Sequence, residues 1–332
     1  MTPWVDPEMT VLLERLRAAP PFDFKAAPIE EAREKADAGT IPWSAGAPDM
    51  PTEELSIPGP GGPMRARLYR PLGGTDGRLT VWAHGGGWTF GSIDTHDGTM
   101  RNFAEKLGSP VLGIDYRLAP EHPFPAGLDD TLAAIVFAES GGLGAPIPAE
   151  RIAVAGDSAG ANLVLAALIA RRDAGLPALA GAALYYGCYA PDFSTGSHAA
   201  FGDGPYMLTT VNMRWYWRNF LGAEPEETTS LAAPLRAELS GLPPLYLAAA
   251  GLDPLRDDTL LIAARLAAAG VDFRCDHVPG VVHGCLRMTR ELGAARRMIA
   301  AGAGFVAERL NENSRLNESR LGGTSPWNAA LS

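Results

Sequence analysis

The sequence predicts an α/β protein, a mostly parallel sheet with helices on both faces. Three observations carry this. From residue 79 onward, short apolar runs of strand character alternate with longer helix-forming runs. Ser158 sits between one such run and a helix, in Gly156-Asp157-Ser158-Ala159-Gly160. Three glycines, 85–87, follow directly on the apolar run 79–83. In sheets of this kind reactive groups collect beyond the carboxyl ends of the strands.

Taken in order, residues 1–55 are helical and loop-like. The run 11–17 is amphipathic, 28–37 reads as a second, charged helix, and prolines at 20, 21, 42, 48 and 51 divide the stretch. Phe22, Phe24 and Trp43 give it apolar bodies without a long core-forming run, so it is expected to lie over something else. From residue 54 the pattern becomes strand–turn–strand, with the turn at 59–63. Strands are then expected at 79–83, 110–116, 151–155, 180–186, 244–250 and 273–278. Helices are expected at 98–107, 126–139, 159–174, 257–269 and 291–310. Catalytic-domain character thus covers 56–189 and 226–310.

Residues 190–225 interrupt the alternation with a loop and an aromatic-rich helix, 208–220. Its Met and Trp side chains are too many for a linker. Most suit the core of a small subdomain, while Met207, Leu208 and Trp215, with Trp88 and Tyr186, are candidate walls of a substrate pocket. The stretch 311–332 is rich in Asn, Ser, Arg and Gly and reads as a disordered end or an added appendage.

Composition excludes several classes. The chain has 332 residues, 46% apolar and 20% charged, with a net charge of −10. That balance suits a soluble globular protein and argues against nucleic acid or an anionic membrane as partner. No run is long and apolar enough to span a bilayer, and no signal segment opens the chain. Cys188, Cys275 and Cys285 show no metal-ligand spacing, so no metal is expected and a reducing cytoplasm fits.

The chemistry rests on four elements in chain order. Gly-x-Ser-x-Gly at a strand–turn–helix lifts the Ser158 hydroxyl clear of its strand, and the new helix aims its free N–H groups at a developing oxyanion. In a chain with 38 glycines the pattern alone is weak, and a serine there is ordinarily an N-cap. His84 and glycines 85–87 add a loop whose N–H groups turn outward. The N–H groups of Gly85, Gly86 and Ala159 are the expected oxyanion hole, with His84 bracing the loop. Asp253 closes the stretch 245–253 at the end of the expected strand 244–250, whereas Asp257 and Asp258 fall at a helix start, where carboxylates ordinarily cap. His277 lies within a strand, while His283 follows it in a loop and can reach a serine. Ser158 is then the nucleophile, His283 the base and Asp253 the residue that orients it.

These motifs resemble the hormone-sensitive-lipase family of α/β-hydrolase esterases, in its bacterial branch. The resemblance runs through His84-Gly-Gly-Gly-Trp88, the segments 91–97 and 115–126, Gly156-Asp-Ser-Ala-Gly160, Asp253-Pro-Leu-Arg-Asp257 and His283-Gly284. It implies an eight-stranded sheet and a helical cap built from the N-terminal segment and an insert after the sixth strand. It also implies hydrolysis of short- to medium-chain carboxylic esters without a cofactor, and it admits a homodimer through the edge strand 273–278. Two positions depart from the pattern. Ala161 stands where a further glycine is common, and Cys285 where an aromatic often follows His-Gly, which implies a roomier pocket wall beside His283.

Two other readings use the same residues. An amidase or peptidase shares the acyl-transfer chemistry. A non-catalytic small-molecule receptor would use the pocket alone, but relatives of that kind typically lack the base that His283 supplies here.

Overall fold

The computed structural model describes residues 3–75, 77–223 and 228–322, with side chains as far as 313. Its centre is one eight-stranded sheet in the order β1-β2-β4-β3-β5-β6-β7-β8. The strands are β1 (Thr52–Gly59), β2 (Gly62–Tyr69), β3 (Leu79–Ala83), β4 (Val111–Ile114), β5 (Ile152–Asp157), β6 (Gly181–Tyr185), β7 (Leu245–Leu252) and β8 (Phe273–Val282). β2 runs antiparallel to β1 and β4, and all other neighbours are parallel. The α/β class expected from the alternation is the one observed.

The unbroken apolar runs have a simple cause. A strand buried on both faces must feed two cores. In β5, Ile152 and Val154 join the core on one side of the sheet, and Ala153 and Ala155 the core on the other. In β7, Leu245 and Leu247 face one way, and Tyr246, Ala248 and Ala250 the other. Helices α3 (Asp97–Leu107) and α9 (Gly293–Gly322) cover one face; α4 (Ala126–Glu139), α5 (Ala159–Asp173) and α8 (Arg256–Ala268) cover the other. α5, which begins directly after Ser158, is buried on nearly every side, which accounts for its run of Ala, Leu, Val and Ile.

Four segments lie outside these layers. α1 (Pro7–Ala18) and α2 (Ile29–Thr40) come from the N-terminal stretch; α6 (Gly196–Phe201) and α7 (Thr210–Leu221) come from the interval after β6. α2 is fastened by Arg33, which donates to the carbonyls of Thr89 and Ala119 at 2.9 and 3.0 Å and pairs with Glu121 at 2.7 Å. α7 is fastened by Trp88, whose ring stacks on Phe220 at 4.0 Å. Two elements run well past their expected bounds. β8, expected to end at 278, reaches Val282. α9 continues to Gly322, so the Asn/Ser-rich stretch after Leu310 is helical for another turn or more. Arg78 reaches Asn311 at 2.6 Å, and Asn313 donates to the Glu150 carbonyl at 3.1 Å, which gives the start of that extension partners. Residues 323–332, the rest of the expected disordered end, lie outside the described residues.

Candidate active site

The carboxyl ends of β3, β5, β7 and β8 bring four separate motifs to one place. β5 ends at Asp157, and Ser158 turns the chain into α5 with φ 53° and ψ −119°. Such a backbone is strained for any residue with a Cβ. Its neighbours make room for it. A Cβ on Gly160 or Gly156 would fall on the Ala83 carbonyl of β3, so both glycines are required by close approach and not by their own dihedrals. Ser158 occupies the N-cap position of α5 yet its side chain caps nothing.

Its hydroxyl goes to His283 instead. His283 Nε2 lies 2.8 Å from Ser158 Oγ, and His283 Nδ1 lies 2.7 Å from Asp253 Oδ2. A carboxylate only accepts, so the imidazole donates from Nδ1 and leaves Nε2 free to accept the serine proton. Asp253 is fully buried and its other oxygen accepts the Leu255 N–H at 2.8 Å. β8 runs through Val282, so His283 is the first residue beyond the strand, while His277 stays within it. Asp257 and Asp258 point elsewhere. Asp257 accepts from the Ser197 N–H at 2.7 Å and pairs with Arg256 at 2.9 Å, and Asp258 accepts from the Tyr189 N–H at 2.7 Å.

The glycine loop departs from expectation at one position. The Gly85 N–H donates to Asp157 Oδ1 at 3.0 Å and so faces away from the cavity. Gly86 and Gly87 line the cavity with Ser158. Among the described residues, the N–H groups of Gly86, Gly87 and Ala159 have no acceptor within the chain. Gly86 needs φ 129°, and a Cβ there would strike the Phe90 carbonyl; a Cβ on Gly87 would enter the Tyr216 ring. His84 braces the loop, stacked on Tyr116 at 4.4 Å, with Nδ1 2.8 Å from the Gly85 carbonyl. Burial, helped by the nearby His96, pushes its imidazole down to about 3, so it is neutral.

The chain as a whole is similar to known hydrolases. A family model described as alpha/beta hydrolase fold matches residues 80–287. Esterase LipI of Mycobacterium tuberculosis is 37% identical over 320 residues, 93% of this chain and 95% of that protein. Carboxylesterase NlhH of the same organism is 35% identical over 316 residues, covering 92% and 95%. A solved esterase from the bacterial hormone-sensitive lipase family superposes with a TM-score of 0.82 at 31% identity, over 92% of this chain and 99% of that one. The chain belongs to the hormone-sensitive-lipase family of α/β hydrolases. It is a carboxylic ester hydrolase.

Around Ser158 this hydrolase encloses a cavity of about 410 Å³. Of the expected walls, Met207 and Leu208 are in place. Three others are not. Trp88 is buried behind the glycine loop, between Phe220 and Trp217. Tyr186 is fully buried, its ring 4.8 Å from that of His283, and it supports the imidazole from behind. Trp215 packs over Phe90 at 5.8 Å, outside the cavity lining. Cys285 is also no wall; it is buried with its sulfur 3.8 Å from that of Met298. The walls unforeseen as such are Phe24 and Trp43 from the N-terminal segment, Phe90, Tyr216, His96, Lys35 and Arg287. Phe24 and Trp43 stood out in the sequence as apolar bodies in a stretch without a core, but nothing there said what they would cover.

Asp157 is a further acidic group beside Ser158. Its Oδ2 lies 3.4 Å from His96 Nε2 and 3.5 Å from the Tyr186 hydroxyl. Burial opposes its charge, but His96 and Arg287 outweigh that and hold its carboxyl below the usual range. Among the described residues no helix is long and apolar enough to cross a membrane.

Proposed function

We propose that this hydrolase cleaves short- to medium-chain carboxylic esters through an acyl-enzyme formed on Ser158. The observation that carries it is the unbroken line from Asp253 through His283 to Ser158, at 2.7 and 2.8 Å. His283 takes the serine proton as Oγ attacks the carbonyl carbon, and returns it to the departing alkoxide. Water then repeats the cycle on the acyl-enzyme. Asp253, held by the Leu255 N–H, keeps the imidazole in the required tautomer and balances its charge. The N–H groups of Gly86, Gly87 and Ala159 receive the oxyanion, without Gly85.

The chain-length preference follows from the roof. The turn between α1 and α2, the short turn after α2 and the segment 207–216 close the cavity with Phe24, Trp43, Met207, Leu208 and Met213. About 410 Å³ suits a small acyl group and a small alcohol, and leaves little room for a long chain. We read these segments as the cap of the hydrolase. Initial rates on p-nitrophenyl esters from acetate to dodecanoate test the proposal. Rates that peak at butanoate or hexanoate support it; faster cleavage of dodecanoate would overturn the size limit. Comparing matched ester and anilide substrates separates the esterase from an amidase. A folded wild type that cleaves none of them would favour a receptor.

Two features of the setting complete the reading. The free thiols Cys188, Cys275 and Cys285 fit a reducing cytoplasm. The edge strand β8 would pair with a second copy, where the Asp6 N–H already occupies the Gly280 carbonyl at 3.0 Å and limits pairing to the earlier part of the strand. Light scattering at a dilute concentration checks the dimer, and a monomer mass would remove it.

A further inference from the structure

Carboxylates outnumber lysines and arginines in this chain by 38 to 28. A cation therefore finds a partner easily, as Arg33 does in Glu121, Arg117 in Asp130 and Arg171 in Glu139. Lys35, from α2, and Arg287, four residues past His283, depart from this. Both line the catalytic cavity, and among the described residues neither is in an ion pair. Among the described residues the sole side-chain hydrogen bond of Arg287 is a long one, from Nε to the Gly284 carbonyl at 3.5 Å. Most of its N–H groups are thus left without an acceptor beside apolar walls.

Asp157 does not supply the missing partner. Its oxygens are engaged by the Gly85 N–H, by His96 and by the Tyr186 hydroxyl, and Arg287 acts on it only from beyond pairing distance. A further donor shares the wall. Tyr216 lines the cavity, and burial pushes its phenol up to about 12, with Arg287 easing it back, so the hydroxyl keeps its proton.

We propose that the cavity is built for esters that carry a carboxylate, received by the Arg287 guanidinium and the Tyr216 hydroxyl, with Lys35 adding attraction from the α2 side. This rests on the esterase reading, since Ser158 still cleaves the ester bond. A charged acceptor meeting a guanidinium among apolar side chains makes a strong, directional hydrogen bond. A neutral ester leaves that half-buried donor without a partner from the substrate, and sites built to bond a polar group discriminate against analogues that lack it. The net charge of −10 repels anions at a distance, so the preference comes from contact and not from steering.

The test compares two matched pairs by proton release, reading kcat/KM. Monomethyl adipate against methyl heptanoate places the carboxylate on the acyl side, and butanoyloxyacetate against propyl butanoate places it on the alcohol side. We expect one carboxylate ester to exceed its neutral counterpart by about tenfold, and the pair that shows this locates the anion. Arg287→Met should lower that ratio by about tenfold. Lys35→Met, at an exposed position, should lower it about twofold, an effect that fades with added salt. Preference for the neutral ester in both pairs overturns the proposal and leaves the esterase intact. So does a ratio unmoved in both variants. If Arg287→Met does not fold, the wild-type ratio and Lys35→Met decide. Cleavage of none of the four esters overturns the esterase reading and this proposal together.

Discussion

Asp157, the residue before the nucleophile, accepts the Gly85 N–H at 3.0 Å. The turn that presents Ser158 and the loop that offers Gly86 and Gly87 are thereby fastened to each other through one buried carboxylate. Removing it leaves a buried N–H without an acceptor, at a cost of about 1–3 kcal/mol. Asp157→Ala should lower thermal stability and reduce kcat on p-nitrophenyl butanoate by at least about tenfold, because the oxyanion donors lose their register with Ser158. Asp157→Asn keeps an acceptor for Gly85 and should retain more of both. Equal losses in the two variants would show that the loop does not depend on that bond.

Ser158 holds φ 53° to place its hydroxyl, and the strain is worth about 1–3 kcal/mol. Ser158→Ala should abolish turnover while leaving the fold intact. Ser158→Gly should also be inactive, yet unfold at a higher denaturant concentration than Ser158→Ala, because glycine accepts the turn without strain. A Gly variant less stable than the Ala variant would contradict the strain at this position.

Gly160→Ala is a test of close approach. Its Cβ would fall on the Ala83 carbonyl, and backbone cannot yield as a flexible side chain would. Expected is a loss of about 2 kcal/mol or more, with activity falling in parallel as β3 and β5 separate. Wild-type melting behaviour in this variant would show that α5 can shift freely.

Asp258 sets part of the pH dependence of stability. Burial pushes its carboxyl up to about 7, with Asp253 adding repulsion and the Tyr189 and Ala190 N–H groups pulling it back. In the unfolded chain it ionises near pH 4, so the folded chain holds the proton more tightly. The stability this contributes is full below about pH 4 and is lost as pH rises through about 7. Asp258→Asn should therefore gain on the wild type between about pH 5 and pH 8, by on the order of 2 kcal/mol. Denaturant titrations at both pH values measure it. Parallel shifts at the two would remove Asp258 as the cause.

Catalysis has its own acid limit. Once His283 is protonated it cannot accept the Ser158 proton, so kcat/KM should fall on the acid side. A rate that does not fall on acidification while the fold stays intact would count against an imidazole base.

The sequence by itself determined the class of the sheet, and it singled out the serine, aspartate and histidine that the structure brings into hydrogen-bond contact. Strands buried on both faces cannot alternate polar and apolar residues, so 79–83, 152–155 and 245–250 declared themselves. These three were legible because their geometry is local: Ser158 on a glycine-flanked turn, Asp253 at a strand end, His283 one residue beyond β8. Only the tertiary structure decided what faces the cavity. Within the glycine loop, one step along the backbone turns an N–H from Asp157 to the cavity, a rotation no residue type announces, and so Gly85 gave way to Gly87. Trp88 and Tyr186 went behind the site because aromatic rings pack wherever the cores have room. Phe24, Trp43, Lys35 and Arg287 reached it because segments far apart in sequence fold over one another. A pocket wall is a property of facing surfaces, and no stretch of chain contains both.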